Sequence, residues 1–131
     1  MVSVDAGIWL AFLRNEASAE PLRELLQKER VLVHPFVLIQ LRLGVRGPQR
    51  ARILSDLEQL VACAVDSPEV VSAFIEERDL AASQIDLVGA HLLVSAVGHG
   101  DQLWTADRDL RAAAARLKVA FLPPVRQSEA G

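Results

Sequence analysis

The sequence contains very little cysteine, and several further absences exclude whole classes of protein. Its single cysteine, Cys63, excludes an internal disulfide and a zinc site built from cysteines. No stretch approaches the roughly 18 consecutive apolar residues of a membrane span. The first ten residues, MVSVDAGIWL, lack the basic segment and the small-residue cleavage site of a secretory signal. We therefore expect a cytoplasmic protein that has no membrane partner.

The chain also lacks a surplus of positive charge. Its formal net charge of −3 argues against broad electrostatic binding of nucleic acid. This charge is still compatible with a small RNA site whose phosphates are held through metal ions. Neither G-x-G-x-x-G nor G-x-x-x-x-G-K-[ST] occurs in the sequence, so a nucleotide-binding or receiver-like α/β domain with a phosphate-binding glycine loop is unsupported.

Short apolar segments alternate with helical patterns along the 131 residues, which predicts one α/β domain. The predicted strands cover residues 2–5, 31–33, 61–65, 102–105 and 119–121. The predicted helices cover residues 7–14, 18–28, 35–43, 48–60, 67–78, 87–97 and 109–117. This alternation predicts a three-layer α/β/α sandwich with a parallel sheet of about five short strands. We expect the domain to span residues 1–122 and a flexible C-terminal tail to follow at 123–131.

Acidic residues follow two of the predicted strands. Asp5 ends the first strand, Asp107 follows the fourth, and Asp109 comes two residues later. Because ligands of parallel sheets bind at the carboxyl ends of the strands, near the reversal of strand order, Asp5 and Asp107 could share one site. One acid of the pair Asp107 and Asp109 is explained as the N-cap of the helix that follows. Several converging carboxylates are tolerable around Mg²⁺ or Mn²⁺, which can activate water for phosphodiester hydrolysis.

Four segments carry a resemblance to a known family. They are VDAGIW at 4–9, VHPFVLIQLRLG at 33–44, IDLVGAHLLVSAV at 85–97 and LWTADRDL at 103–110. Their order and spacing resemble the signature blocks of PIN-domain proteins, above all the VapC toxins of bacterial type II toxin–antitoxin pairs. The resemblance covers residues 1 to about 121. It implies a PIN α/β/α sandwich, Mg²⁺-dependent endoribonuclease activity, a homodimer and a VapB-like antitoxin as partner.

The resemblance also implies roles for individual acids. The family's first acid falls on Asp5, its last on Asp107, and an accessory acid on Asp109. Gly7 stands where a serine or threonine is usual in the first block. Gln40 stands where the second block usually has a glutamate.

The third block departs from the family as well, because Gly89 stands where an aspartate is usual. Gln40 keeps a carbonyl oxygen as a weak ligand but has no charge. Asp86 lies one turn before Gly89 and roughly on the same face, so it could partly replace the missing carboxylate as a metal ligand. Capping of the following helix is the alternative role for Asp86, and the one that we favour.

Two hypotheses follow from these residues. The first is a VapC-like toxin that cleaves RNA with Mg²⁺ or Mn²⁺. It would use Asp5, Asp107 and Asp109, with Asp86 as a further candidate, and Gln40 and Gly89 would weaken the site. The second is a catalytically silent PIN domain that only dimerises and binds its antitoxin. In both cases we expect an exposed apolar groove near the acidic cleft, formed by the apolar helices at 7–14 and 35–43.

Overall fold

A computed structural model describes residues 1–124, and its strands are short and separated by helices. The strands are β1 (Val2–Val4), β2 (Val31–Val33), β3 (Val61–Ala62) and β4 (Gln102–Trp104). The α-helices are α1 (Ala6–Leu13), α2 (Pro21–Gln27), α3 (Pro35–Gly44), α4 (Arg50–Glu58), α5 (Pro68–Glu77), α6 (Leu87–His99) and α7 (Arg108–Arg116). Two 3₁₀ helices lie at Ala17–Ala19 and Ala81–Ser83.

The four strands form one parallel sheet in the order β3-β2-β1-β4. The chain adds β2 and β3 on one side of β1 and then returns to place β4 on the other side. The strand order therefore reverses between β1 and β4, which opens a crevice at the carboxyl ends of these two strands. Because crossovers between parallel strands are right-handed, the reversal places helices on both faces of the sheet, as the predicted three-layer sandwich requires.

The predicted count of about five strands is one too high for the described residues. The segment 119–121 makes only an isolated bridge to β4, between Leu103 and Ala120. The Leu103 N–H donates to the Val119 carbonyl at 2.7 Å, and the Phe121 N–H donates to the Leu103 carbonyl at 2.9 Å. The ladder then stops because two prolines, which have no N–H, follow within three residues. Of the predicted tail, residues 125–131 lie outside the described part of the chain.

The main core surrounds the sheet and the helix α6, and a second, smaller cluster lies between α5 and α6. Every residue of β1 and β2 is buried, as in central strands that are covered on both faces. Helix α6 is buried from Gly89 to Ala96, which is expected of a helix that is apolar nearly all round. Its path through the core brings its N-terminus to the crevice between β1 and β4. No helix among the described residues is long and apolar enough to cross a membrane.

Candidate active site

Asp5 and Asp107 line one cleft of about 260 Å³. Asp5 directly follows β1, and its backbone N–H donates to the Trp104 carbonyl at 2.9 Å, which extends the β1–β4 pairing by one bond. Asp107 follows β4 after a two-residue turn. The two acids therefore meet at the carboxyl ends of neighbouring parallel strands, where the strand order reverses.

Three helices begin at this cleft, and each has a carboxylate as its N-cap. The caps are Asp5 for α1, Asp86 for α6 and Asp107 for α7. Their Oδ1 atoms accept backbone N–H groups of these helices at 2.8, 2.7 and 2.9 Å, respectively. The favoured interpretation of Asp86 as a cap is thus what the structure shows. The partial positive charge of the helix N-termini offsets some of the repulsion among the carboxylates.

Thr105 connects two of these acids. Its side chain is buried, its hydroxyl donates to Asp5 Oδ2 at 2.7 Å, and its Oγ1 accepts the Asp107 backbone N–H at 3.0 Å. No role was predicted for Thr105 from the sequence. A threonine two residues before an aspartate is a pattern that forms such local turns, so the sequence did contain a signal for it.

Gln40 and Asp109, two further predicted site residues, differ in their placement. Gln40 reaches the cleft from α3, and its Oε1 is buried without a hydrogen-bond partner among residues 1–124. Asp109 lies in the first turn of α7, is exposed, and does not line the cleft. The structure therefore brings Asp5, Gln40, Asp86 and Asp107 together and leaves Asp109 at the surface near the same helix start.

Gly7 and Gly89, at positions where the resemblance implies a hydroxyl and a carboxylate, have different surroundings. A Cβ atom on Gly7 would meet nothing within 4 Å, so there is open space at this position. A Cβ atom on Gly89 would lie 3.2 Å from Asp86 Oδ1 and 3.3 Å from Leu110 Cδ1. Gly89 is therefore closely packed, and an aspartate there would require Leu110 or Asp86 to move.

The donors of the cleft fit a hard divalent cation in chemical type. Carboxylate and amide oxygens suit Mg²⁺, which often binds only one or two carboxylates and keeps several waters. The unpartnered Oε1 of Gln40 is an oxygen of that kind. Within residues 1–124 no three Asp, Glu, His or Cys side chains are grouped so that they could hold one ion. The arrangement therefore fits an ion held by two carboxylates and water rather than one enclosed by protein.

A buried histidine fixes the start of the helix that carries Gln40. His34 is fully buried, and its Nδ1 accepts the Phe36 backbone N–H at 3.0 Å, which caps α3. Burial, followed by the nearby His91, lowers the pKa of His34 to about 4, although Asp66 acts in the opposite direction. The imidazole is therefore neutral at neutral pH, with its proton on Nε2, because Nδ1 is the acceptor.

A second concave surface, which we call the apolar groove, has a volume of about 230 Å³. It is lined by Trp9, Phe12, Leu13, Leu26, Ile53, Asp56, Leu57 and Leu60, which belong to or adjoin α1, α2 and α4. We expected α1 and α3 to form the groove. Helix α1 lines it as expected, but α3 does not. Helix α3 instead exposes Ile39 and Leu43 at the surface. The Trp9 Nε1 group is buried and has no hydrogen-bond partner among the described residues.

Comparisons with known proteins agree with this architecture. The model of the PIN domain family matches residues 2–116. Ribonuclease VapC32 of Mycobacterium tuberculosis, found in two strains, is 35% identical over 127 residues, which are 95% of this chain and 99% of VapC32. The crystal structure of PAE2754 from Pyrobaculum aerophilum has a TM-score of 0.59 at 17% identity, covering 89% of this chain and 94% of that one. At that identity the similarity to PAE2754 concerns the fold alone.

Proposed function

Because the chain belongs to the PIN-domain family, we propose that it is a VapC-like toxin of a type II toxin–antitoxin system. In this proposal it acts in the cytoplasm as an endoribonuclease that hydrolyses RNA phosphodiester bonds with Mg²⁺ or Mn²⁺. The observation that carries the proposal is the meeting of Asp5 and Asp107 in one cleft at the reversal of strand order. The name of the similar VapC32 ribonuclease supports the same activity.

The side chains of the cleft have distinct roles in this reaction. Asp5 and Asp107 would hold the cation, and Gln40 Oε1 would add a neutral oxygen donor. When bound, the ion lowers the pKa of a coordinated water and stabilises the leaving oxygen. Asp86 lines the same cleft, its second carboxylate oxygen has no partner among residues 1–124, and it would orient an attacking water. The N-termini of α1, α6 and α7 favour an anionic phosphate in the same cleft.

The site is weaker than the family pattern predicts. Gln40 and Gly89 remove two negative charges, and each charged ligand contributes to binding of a hard cation. One observation favours the alternative of a catalytically silent domain that binds its antitoxin without cleaving RNA. No three acidic side chains among the described residues are grouped to hold an ion.

We assign the apolar groove to a segment of a VapB-like antitoxin. Trp9 and the aliphatic side chains of α4 provide an apolar surface there. An open apolar groove of this kind accepts the apolar face of an amphipathic segment. A basic residue of the antitoxin would face the acids of the cleft.

A homodimer is the further assembly that we propose. Leu87 and Val70 are exposed by 70% and 49% at the start of α6 and on α5. Contiguous apolar patches mark interaction sites, and because α5 and α6 pack against each other, a second copy would cover both side chains. This surface is formed by helices other than those of the apolar groove, so the dimer and the antitoxin would not compete for the same residues.

Cleavage of a fluorogenic RNA by the chain, purified without antitoxin, tests the proposed activity. We expect cleavage in Mn²⁺ that EDTA abolishes. Asp5→Asn and Asp107→Asn should reduce the rate to the level with EDTA, and they also control for contaminating ribonuclease. Asp109→Asn, which changes an exposed acid outside the cleft, should retain most of the activity. A chain that binds antitoxin but shows no metal-dependent cleavage would establish the silent domain instead.

A further inference from the structure

One edge of the sheet is formed by β3, and no strand among residues 1–124 pairs with its outer side. On its inner side β3 pairs with β2, and the Cys63 N–H continues this pairing by donating to the Val33 carbonyl at 2.9 Å. Because the backbone groups of successive strand residues point to opposite sides, Ala62 and Ala64 direct their N–H and C=O groups to the free edge. Neither alanine makes a backbone hydrogen bond beyond the β3–β2 pairing within the described chain.

This edge lacks the features that normally protect a free strand. Residues 60–65 read LVACAV and contain no charged residue, proline or glycine. Val61 and Val65 are exposed by 61% and 48%, and no turn or bend interrupts residues 63–65. The opposite edge differs, because the bridge to Ala120 covers β4 and two prolines follow. An uncharged, apolar free edge is a template for pairing with another strand.

The sequence of this edge is also complementary to itself. VACAV at 61–65 reads the same in both directions, with Cys63 at its centre. In an antiparallel pair of two copies centred on Cys63, Val61 lies opposite Val65 of the second copy. Ala62 lies opposite Ala64 of the second copy, and these alanines are the residues whose N–H and C=O groups face the edge. The pair therefore forms reciprocal backbone hydrogen bonds about a twofold axis, with valine against valine at both ends.

We propose that the β3 edges of two copies pair in antiparallel fashion about Cys63, so that two four-stranded sheets join into one. This contact goes beyond the proposed function, since residues 61–65 line neither the cleft nor the apolar groove. It also differs from the surface at Leu87 and Val70, and two different twofold contacts on one chain build an assembly larger than a dimer. An edge this short buries less area than a standard interface, so the contact forms at high protein concentration.

Hydrogen exchange of the Ala62 and Ala64 amides, followed by NMR in dilute and in concentrated solution, tests this pairing. Both alanines are exposed in a single copy, and their N–H groups find acceptors in the pair. We expect exchange of both amides to slow by at least about tenfold at high concentration. Sedimentation of the same samples should show a larger assembly than in dilute solution.

Charge substitutions at the two exposed valines test the register. Val61→Lys with Val65→Lys places like charges opposite each other, so exchange of both amides should become fast at high concentration. Val61→Lys with Val65→Glu places opposite charges there, and this chain should regain slow exchange. Val70→Lys is the matched control, since Val70 is a valine on α5 that is exposed by 49%. It should leave the slow exchange of both amides unchanged.

Three outcomes would overturn the proposal. The first is fast exchange of the Ala62 and Ala64 amides at every concentration of the parent chain. The second is equal exchange in the two double variants, because the valines would then not lie opposite each other. The third is slow exchange that appears only with a bound antitoxin, which would assign the edge to that partner. None of these measurements depends on metal binding or RNA cleavage, so the ribonuclease proposal would stand in each case.

Discussion

Acidification should destabilise the fold through His34, the buried cap of α3. The imidazole pKa of about 4 in the folded chain lies below the ordinary 6.5. Below about pH 6.5 the unfolded chain therefore binds a proton that the folded chain does not, so stability falls as the pH falls toward 4. Above about pH 6.5 the imidazole is neutral in both states, and this contribution to the pH dependence disappears. Below about pH 4 both states are protonated, and the loss levels off.

The size of the effect follows from the width of this pH window. Each pH unit within it changes the free energy of unfolding by at most about 1.4 kcal/mol. The full window of about 2.5 pH units gives an upper limit of about 3.4 kcal/mol, and the part of it above about pH 4.5 gives at most about 2.5 kcal/mol. Protonation at Nδ1 would also break the bond from the Phe36 N–H, which is the N-cap of the helix carrying Gln40.

The contribution of His34 to the pH dependence of stability is isolated by urea unfolding of two chains, the parent and His34→Asn. Both are measured between about pH 7.5 and about pH 4.5. Asparagine is a good N-cap and does not titrate, while the carboxylates titrate in both chains. We expect the parent to lose about 2 kcal/mol more than the variant across this range. Parallel stability curves for the two chains would refute the assignment of a depressed pKa to His34.

Two further substitutions test the groove and the packing around Gly89. Ile53→Glu puts a charge into the apolar groove and should weaken antitoxin binding by at least about tenfold in a titration. The Mn²⁺ affinity of this variant should be unchanged. An unchanged antitoxin affinity would mean that the partner binds elsewhere. Gly89→Asp should lower the free energy of unfolding by about 1 kcal/mol in urea, since its Cβ meets Asp86 Oδ1 at 3.2 Å and Leu110 Cδ1 at 3.3 Å. A more stable Gly89→Asp chain would show that these neighbours relax freely.

The main outline of the site was predictable because it depends on where strands end. Asp5 and Asp107 follow apolar segments, and the carboxyl ends of parallel strands meet at one edge of a sheet. The different placement of Asp107 and Asp109, which were both predicted as site residues, was less accessible from the sequence. It depends on the first residue of α7, which makes Asp107 the cap and leaves Asp109 exposed in the first turn.

Other features depend on contacts between segments that are distant in the chain. Sequence alone treats Gly89 as an unfavourable helix residue, but its tight contact with Leu110 appears only after α7 has packed near α6. The apolar groove involves Ile53 of α4 rather than α3, because helix packing and not local apolarity decides which faces remain open. The apolar segment 119–121 resembles a strand, yet it forms only one bridge before the prolines.

The central claim is that Gln40 and Gly89 weaken a metal-dependent ribonuclease site. It is tested most directly by the rate of RNA cleavage at matched Mn²⁺ concentration, compared between the present chain and the double variant Gln40→Glu with Gly89→Asp. We expect slow, metal-dependent cleavage by the present chain. We expect at least about tenfold faster cleavage and tighter Mn²⁺ binding by the double variant, since two negative charges near the ion are restored. Equal metal-dependent rates would contradict the claim of a weakened site and would show that Asp86 or another group already completes it.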